Sequence, residues 1–344
     1  MRAVVFERFG GPARVREVTD PEPSPGGVVV RVEATGLCRS DWHGWQGHDD
    51  GITLPHVPGH ELAGVVESVG AGVALHRAGD RVTVPFVCAC GGCSACAAGE
   101  QQVCERQTQP GFTHWGSFAQ YVALEHADVN LVPLPDDMAH ATAAGLGCRF
   151  ATAFRAVVDR GRAAPGEWVA VHGCGGVGLS AVMVAAAAGA RVVAVDVAPG
   201  ALRLARECGA EAVVDARGTA DPAAAVREAT GGGAHVSLDA LGSGATAAAS
   251  LRSLRRRGRH VQVGLLPEDP ALPMGRAVAL ELELYGSHGM PAHAYPAMLA
   301  MIAAGTLRPD RLVTGTLRLD EAPAALAAMG TAPTPGVTVI EPWA

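Results

Sequence analysis

The sequence predicts an α/β protein in which a β-rich region precedes a doubly wound, parallel, six-stranded sheet. Three observations carry that expectation. The chain has 344 residues, more than one hydrophobic core ordinarily serves, so two domains are expected. Up to about residue 148 it is rich in Gly, Pro and Val arranged in short alternating runs. From about residue 166 strands alternate with Ala-rich helical stretches, the pattern of βαβ units.

In order along the chain, "GGVVVRVEATG", "GVVESVG" and "GDRVTVP" read as short strands joined by turns. "WVAVH" opens the alternating part. The helical "GVGLSAVMVAAAAGA", the strand "RVVAVDV", the helical "GALRLARECGA" and the strand "AVVDA" follow it. Next come the strand "HVSLDAL", the helical "TAAASLRSLRRRG", and the strands "RHVQVGL" and "LELELYG". Six strands alternating with helices imply a parallel sheet covered on both faces, as a dinucleotide-binding domain requires. Two helices, "AYPAMLAMIAAG" and "DEAPAALAAMG", and a strand, "GVTVIEP", close the chain.

Composition narrows the function. A net charge of −7 with no dense basic block argues against nucleic acid as a partner. The most apolar run, residues 168–197, is long enough to span a membrane, but its glycines and Arg191 break it into strand, turn, helix and strand. No membrane segment is expected. The start "MRAVVFERFGG" carries charges where a signal peptide needs an apolar stretch, so a cytoplasmic protein is expected. All 27 basic residues are arginine. Without lysine there is no Schiff base, no P-loop lysine and no Tyr-Lys dehydrogenase pair.

In a cytoplasmic chain clustered cysteines read as metal ligands rather than disulfides. Cys90, Cys93, Cys96 and Cys104 are spaced C-x2-C-x2-C-x7-C, which suits four thiolates closing a tetrahedron round a structural zinc. Cys88 is left over. "GLCRSDWHGW" carries Cys38, Arg39, Ser40, Asp41 and His43; "VPGHELAGVV" carries His60 and Glu61; "LGCRFATAF" adds Cys148. Two cysteines and a histidine can hold zinc with a fourth position open.

The loop Gly173-x-Gly175-x-x-Gly178, with Gly176 and Val177 inside it, follows a strand and opens a helix. Its glycines permit a tight turn, close approach to a pyrophosphate, and close helix–strand packing. Asp196 ends the next strand, where a carboxylate accepts bonds from a ribose 2′-hydroxyl; its other reading is a strand-end cap. "DVAPGA" offers no adjacent arginine, which favours NAD over NADP.

With these motifs in place the chain resembles the zinc-dependent medium-chain alcohol dehydrogenases along essentially its whole length. "GHELAGVVESVGAGV" fits that family's signature GHE-x2-G-x5-G-x2-V, while "GLCRSD", "GCGGVG" and "CGGCSACAAGEQQVC" are similar to its ligand loop, nucleotide loop and structural zinc lobe.

The resemblance implies a GroES-like catalytic domain over 1–148, completed by 288–344, and a Rossmann NAD domain over 149–287, with the active site in the cleft between them. It implies a catalytic zinc on Cys38, His60 and Cys148 and a structural zinc on the four clustered cysteines. Asp41 would orient His60, and Glu61 would approach the metal during ligand exchange. Arg39 would contact the cofactor pyrophosphate and Thr152 lie near the nicotinamide. Ser40 and then His43, in preference to His48, would carry the proton from an alcohol as its hydride passes to NAD. Relatives without zinc, or with glutamate in place of Cys148, fit this ligand set less well. Trp42, Trp45, Phe86 and Trp115 lie near the loops that line the cleft in this family and lean toward an apolar or aromatic alcohol. The length is that of the shorter, commonly tetrameric members, with a dimer as the alternative.

Overall fold

The computed structural model describes residues 1–331 and 335–344. The chain divides into two units: Met1–Cys148 with Gly289–Ala297 and Val313–Ala344, and Arg149–His288 with Met298–Leu312.

In the first unit β1 (Arg2–Val5) and β2 (Arg14–Glu17) form an antiparallel ribbon. The spine is β3 (Val28–Leu37), whose Val28, Val30 and Val32 are fully buried. Against it lies β4 (Leu62–Val69); β5 (Arg81–Thr83) pairs with β4, β6 (Tyr121–Leu124) with β3, and β7 (Val132–Pro133) with β5. Leu62, Val66, Val82, Val122, Leu124 and Cys88 complete this core. Each large side chain so buried stabilises by roughly 1.5–3 kcal/mol relative to exposure. The helix Arg39–Gln46 follows β3 directly and ends at Gly47, whose φ of 83° is the left-handed cap that glycine adopts freely.

The second unit holds β8 (Trp168–His172), β9 (Arg191–Asp196), β10 (Ala212–Asp215), β11 (Ala234–Asp239), β12 (Leu254–Gln262) and β13 (Glu283–Gly286). Their order is β10-β9-β8-β11-β12-β13, and every pairing is parallel. Val169, Ala170, Val171, Val192, Val193 and Ala194 are all fully buried, because helices cover both faces of such a sheet. The order reverses at β8, and ligands bind beyond the carboxyl ends of strands at such a point.

The arginine run behaves differently from its sequence reading. The helix that includes "TAAASLRS" stops at Ser253, and β12 starts at Leu254, taking in Arg255, Arg256 and Arg257. Leu254 is fully buried and pairs with Ala234, so burial in the sheet overrides the helical propensity of arginine. A further helix, Pro222–Ala229, carries its own start signal: Asp221 accepts from the Ala224 N–H at 3.0 Å and proline stands in the first turn.

The chain then returns to the first unit with β14 (Val313–Arg318) and β15 (Val337–Glu341). β15 lies antiparallel to β3, Thr338 opposite Leu37 and Ile340 opposite Thr35. Leu319, Ala322, Leu326 and Ile340 pack with Phe6, Trp45 and Phe118 in a second core of that unit. Among the described residues no helix is long and apolar enough to cross a membrane.

Candidate functional site

Ligand atoms of Cys38, His60, Glu61 and Cys148 lie within 4.8 Å of one another. Local structure delivers each of them. Cys38 caps the helix Arg39–Gln46, and its N–H donates to Asp41 Oδ2 at 2.9 Å. The other oxygen, Oδ1, accepts from the Gly59 N–H at 3.1 Å and from His60 Nδ1 at 2.8 Å. One buried carboxylate therefore ties the Cys38 loop to the His60 loop. Gly59 cannot be replaced there: its φ is +109°, and a Cβ would stand 2.6 Å from Phe118.

With Nδ1 committed to Asp41, His60 turns Nε2 inward, where it is buried without a hydrogen-bond partner. Burial disfavours the imidazolium, but the Asp41 carboxylate overrides it and raises the ring's pKa well above its ordinary value. A metal must displace that proton. Phe86 and Phe112 flank the ring at 6.1 and 5.2 Å.

Cys148 sits in a π-helical turn, Leu146–Phe150, a distortion common where function needs a side chain aimed off the regular helix. The turn is pinned from two sides. Phe86 N–H donates to the Gly147 carbonyl at 3.0 Å, and the buried Tyr295 hydroxyl reaches the Leu146 and Gly147 carbonyls at 3.4 and 3.3 Å. Tyr295 and Phe112 gave no signal in the sequence, since both come from segments without a motif.

Cys90, Cys93, Cys96 and Cys104 form a second cluster with sulfurs within 4.8 Å. Backbone N–H groups of Cys90 and Arg106 point at Cys104 Sγ, both at 3.3 Å, and the Arg106 guanidinium reaches Cys90 Sγ at 3.4 Å. The Gly92 backbone and Arg106 bring the Cys90 thiol down to about 6. Such a donor set suits a closed four-sulfur zinc. Cys88 stands apart: it is buried among the β3 valines, and burial pushes its thiol up to about 12.

In the second unit the glycine loop leaves β8. Gly173 has a φ of +91°, and a Cβ on Gly178 would lie 1.8 Å from the Gly173 carbonyl. Gly175 opens onto free space and caps the helix Gly176–Ala187 with no side chain at its N-terminus. The amides of Gly176 and Val177 are therefore left for an anion such as a pyrophosphate. Asp196 ends β9 and does act as a backbone cap: its oxygens accept from Cys174 N–H at 2.6 Å and Ala198 N–H at 2.8 Å. Thr152 is buried in the short helix Ala151–Arg155 with Oγ1 unpartnered.

The remaining expected residues lie on the helix after Cys38. Ser40 Oγ is 3.9 Å from Cys38 Sγ. His43 and His48, set apart in the sequence reading, meet at 2.9 Å through their Nδ1 atoms. Arg39 stacks on Trp42 at 4.5 Å and donates to the Met329 carbonyl. Of the aromatic residues expected near substrate, Trp45 is a core residue whose Nε1 donates to Gly11, whereas Phe86 faces His60.

Comparison with known proteins identifies the family. Residues 24–136 match the model of the alcohol dehydrogenase GroES-like domain, and residues 176–304 match that of zinc-binding dehydrogenases. An alcohol dehydrogenase of Geobacillus stearothermophilus is 40% identical over 291 residues, 83% of this chain and 84% of its own. The structure of an alcohol dehydrogenase from Thermus sp. ATN1 superposes with a TM-score of 0.90 at 34% identity, covering 99% of both chains. A putative zinc-binding dehydrogenase from Sinorhizobium meliloti, bound to NADP, gives 0.89 at 29% identity, again over 99% of both chains. The chain belongs to the zinc-dependent medium-chain alcohol dehydrogenase family.

Proposed function

We propose that this alcohol dehydrogenase prefers NAD and holds its catalytic zinc on Cys38, His60 and Cys148, with Cys90, Cys93, Cys96 and Cys104 on a structural zinc. The observation that carries the reading is the Asp41 carboxylate joining Cys38 to His60 while His60 Nε2 stays buried and unpartnered. Bound there, zinc supplies a Lewis acid for a substrate oxygen, and the nicotinamide supplies the hydride acceptor.

The chain does the rest. Asp41 keeps the proton on Nδ1, so Nε2 offers its lone pair. Glu61 is a reserve donor in the same cluster. Ser40 receives the hydroxyl proton of an alcohol, and exposed His43 releases it to water. Arg39 and the amides of Gly176 and Val177 hold the pyrophosphate, Thr152 Oγ1 the nicotinamide, and Asp196 the adenosine ribose. Phe86 beside His60 favours an apolar or aromatic alcohol. A cytoplasmic tetramer is our reading of compartment and assembly, the latter supported by length and open to light scattering.

A panel of primary, secondary and aromatic alcohols with NAD, followed at the NADH absorbance, tests the reaction. Cys38→Ser and His60→Ala should each lose the catalytic zinc and nearly all turnover while NAD still binds. Full turnover in either variant would remove that ligand set. Equal kcat/KM for NAD and NADP in the unaltered protein would remove the preference assigned to Asp196.

A further inference from the structure

We infer that Arg217 lets the adenosine end of the nucleotide site accept a 2′-phosphate, so that NADP serves as a secondary cofactor beside NAD. The inference rests on the reading of Gly173–Gly178 and Asp196 as the nucleotide site. No arginine adjoins Asp196 in the sequence, but the sheet supplies one in space. β9 and β10 are parallel neighbours with Asp196 opposite Asp215, so the loops beyond them leave the sheet side by side. The Arg217 backbone N–H is held by Asp215 Oδ1 at 2.9 Å, and its guanidinium donates through Nη2 to the carbonyl of Val197, the residue after Asp196. The side chain is exposed, and that bond uses one of five N–H donors.

The acid beside it is arranged to tolerate a second anion. Both Asp196 oxygens already accept backbone N–H groups, from Cys174 and from Ala198. The helix Pro199–Glu207 starts at this point with no side-chain cap, so the amides of Gly200 and Ala201 lack intrahelical acceptors and add positive potential. Asp196 suits a ribose hydroxyl and opposes a phosphate. Arg217 and the helix end favour the phosphate, through charge-assisted bonds about twice as strong as neutral ones. The two residues pull in opposite directions, and the cofactor preference is their difference.

The test uses the adenosine halves of the two cofactors as probes. Isothermal titration with 5′-AMP and with 2′,5′-ADP is run on the unaltered protein and on Arg217→Ala and Arg217→Lys. The unaltered protein should bind 2′,5′-ADP within about tenfold of AMP, and 0.5 M NaCl, chosen as a strongly screening condition, should weaken the bisphosphate selectively. In Arg217→Ala the loss for 2′,5′-ADP should exceed that for AMP by about tenfold or more, with kcat/KM for NADP falling in parallel, and Arg217→Lys should recover part of it. Equal losses for the two probes, or AMP binding with none of 2′,5′-ADP, would overturn the role of Arg217. Failure of AMP itself to bind would overturn the nucleotide-site reading instead.

Discussion

Asp41 serves three donors with two oxygens, and a substitution there changes little but charge and one acceptor. In Asp41→Asn the amide must turn its NH2 either toward the Cys38 N–H or toward Gly59 and His60, so donor meets donor. Zinc affinity should fall by about 10–100-fold, the range typical for residues that orient a metal-bound histidine. Competition with a chelator measures it, and unchanged affinity would show that Asp41 does not support the metal. Ser40→Ala separates proton movement from metal binding: turnover should drop and its pH profile change while zinc content stays. Full activity across pH would exclude Ser40 from the proton path. These residues were legible in the sequence because a short motif carries them. Tyr295, far along the chain from Cys148, was not, because only the folded chain carries its hydroxyl to the Leu146 and Gly147 carbonyls, and neither was the Arg217–Val197 contact, which depends on the pairing of β9 with β10.

At the scale of the element, the cysteine lobe has little apolar content beyond its own sulfurs and a few small neighbours. Its order would therefore come largely from the zinc proposed for it. Zinc-finger peptides gain roughly 10–16 kcal/mol from such a site at neutral pH, of which an attached domain needs only part. Cys93→Ser should lower the thermal midpoint and remove about one zinc per chain by metal analysis. Cys88→Ser should keep its zinc and change stability by no more than about 1 kcal/mol, because the Pro85 carbonyl that accepts from Cys88 Sγ at 3.6 Å is there for the new hydroxyl. Loss of zinc in Cys88→Ser would place Cys88 among the ligands. Element types were read well where periodicity was strong, as at β8 and β9. The helical pattern of "RSLRRRG" is overridden in the fold, where Leu254, an ordinary apolar residue, is claimed by β11. The capped helix at Pro222 was missed although Asp221 and Pro222 announce it.

For the whole molecule a buried neutral histidine contributes to the loss of stability in acid. His172, at the carboxyl end of β8, is 1% exposed. Burial, aided by His260 and opposed by Asp239, holds its pKa down from 6.5 to about 4. The unfolded chain takes up a proton near 6.5 and the folded chain only near 4, so the unfolded state binds more protons between those values. The contribution is complete above that window and is lost as pH falls through it. It amounts to about 3 kcal/mol in all, of which about 2 kcal/mol is gone by pH 5. Urea unfolding at pH 7.5 and pH 5 should show a smaller difference for His172→Gln than for the unaltered protein; equal differences would clear His172 of the effect. The overall architecture was legible because strand–helix alternation and four motifs constrain it. The pairing of β15 with β3 follows from no local pattern in either segment, and it has a consequence for biosynthesis. β3 leads straight into Cys38, yet one of its partner strands is synthesised only after residue 336, later than every strand of the parallel sheet. That edge of β3 must therefore wait for a contact of high sequence separation, Thr338 against Leu37, whose loop-closure entropy has to be met before the pairing forms.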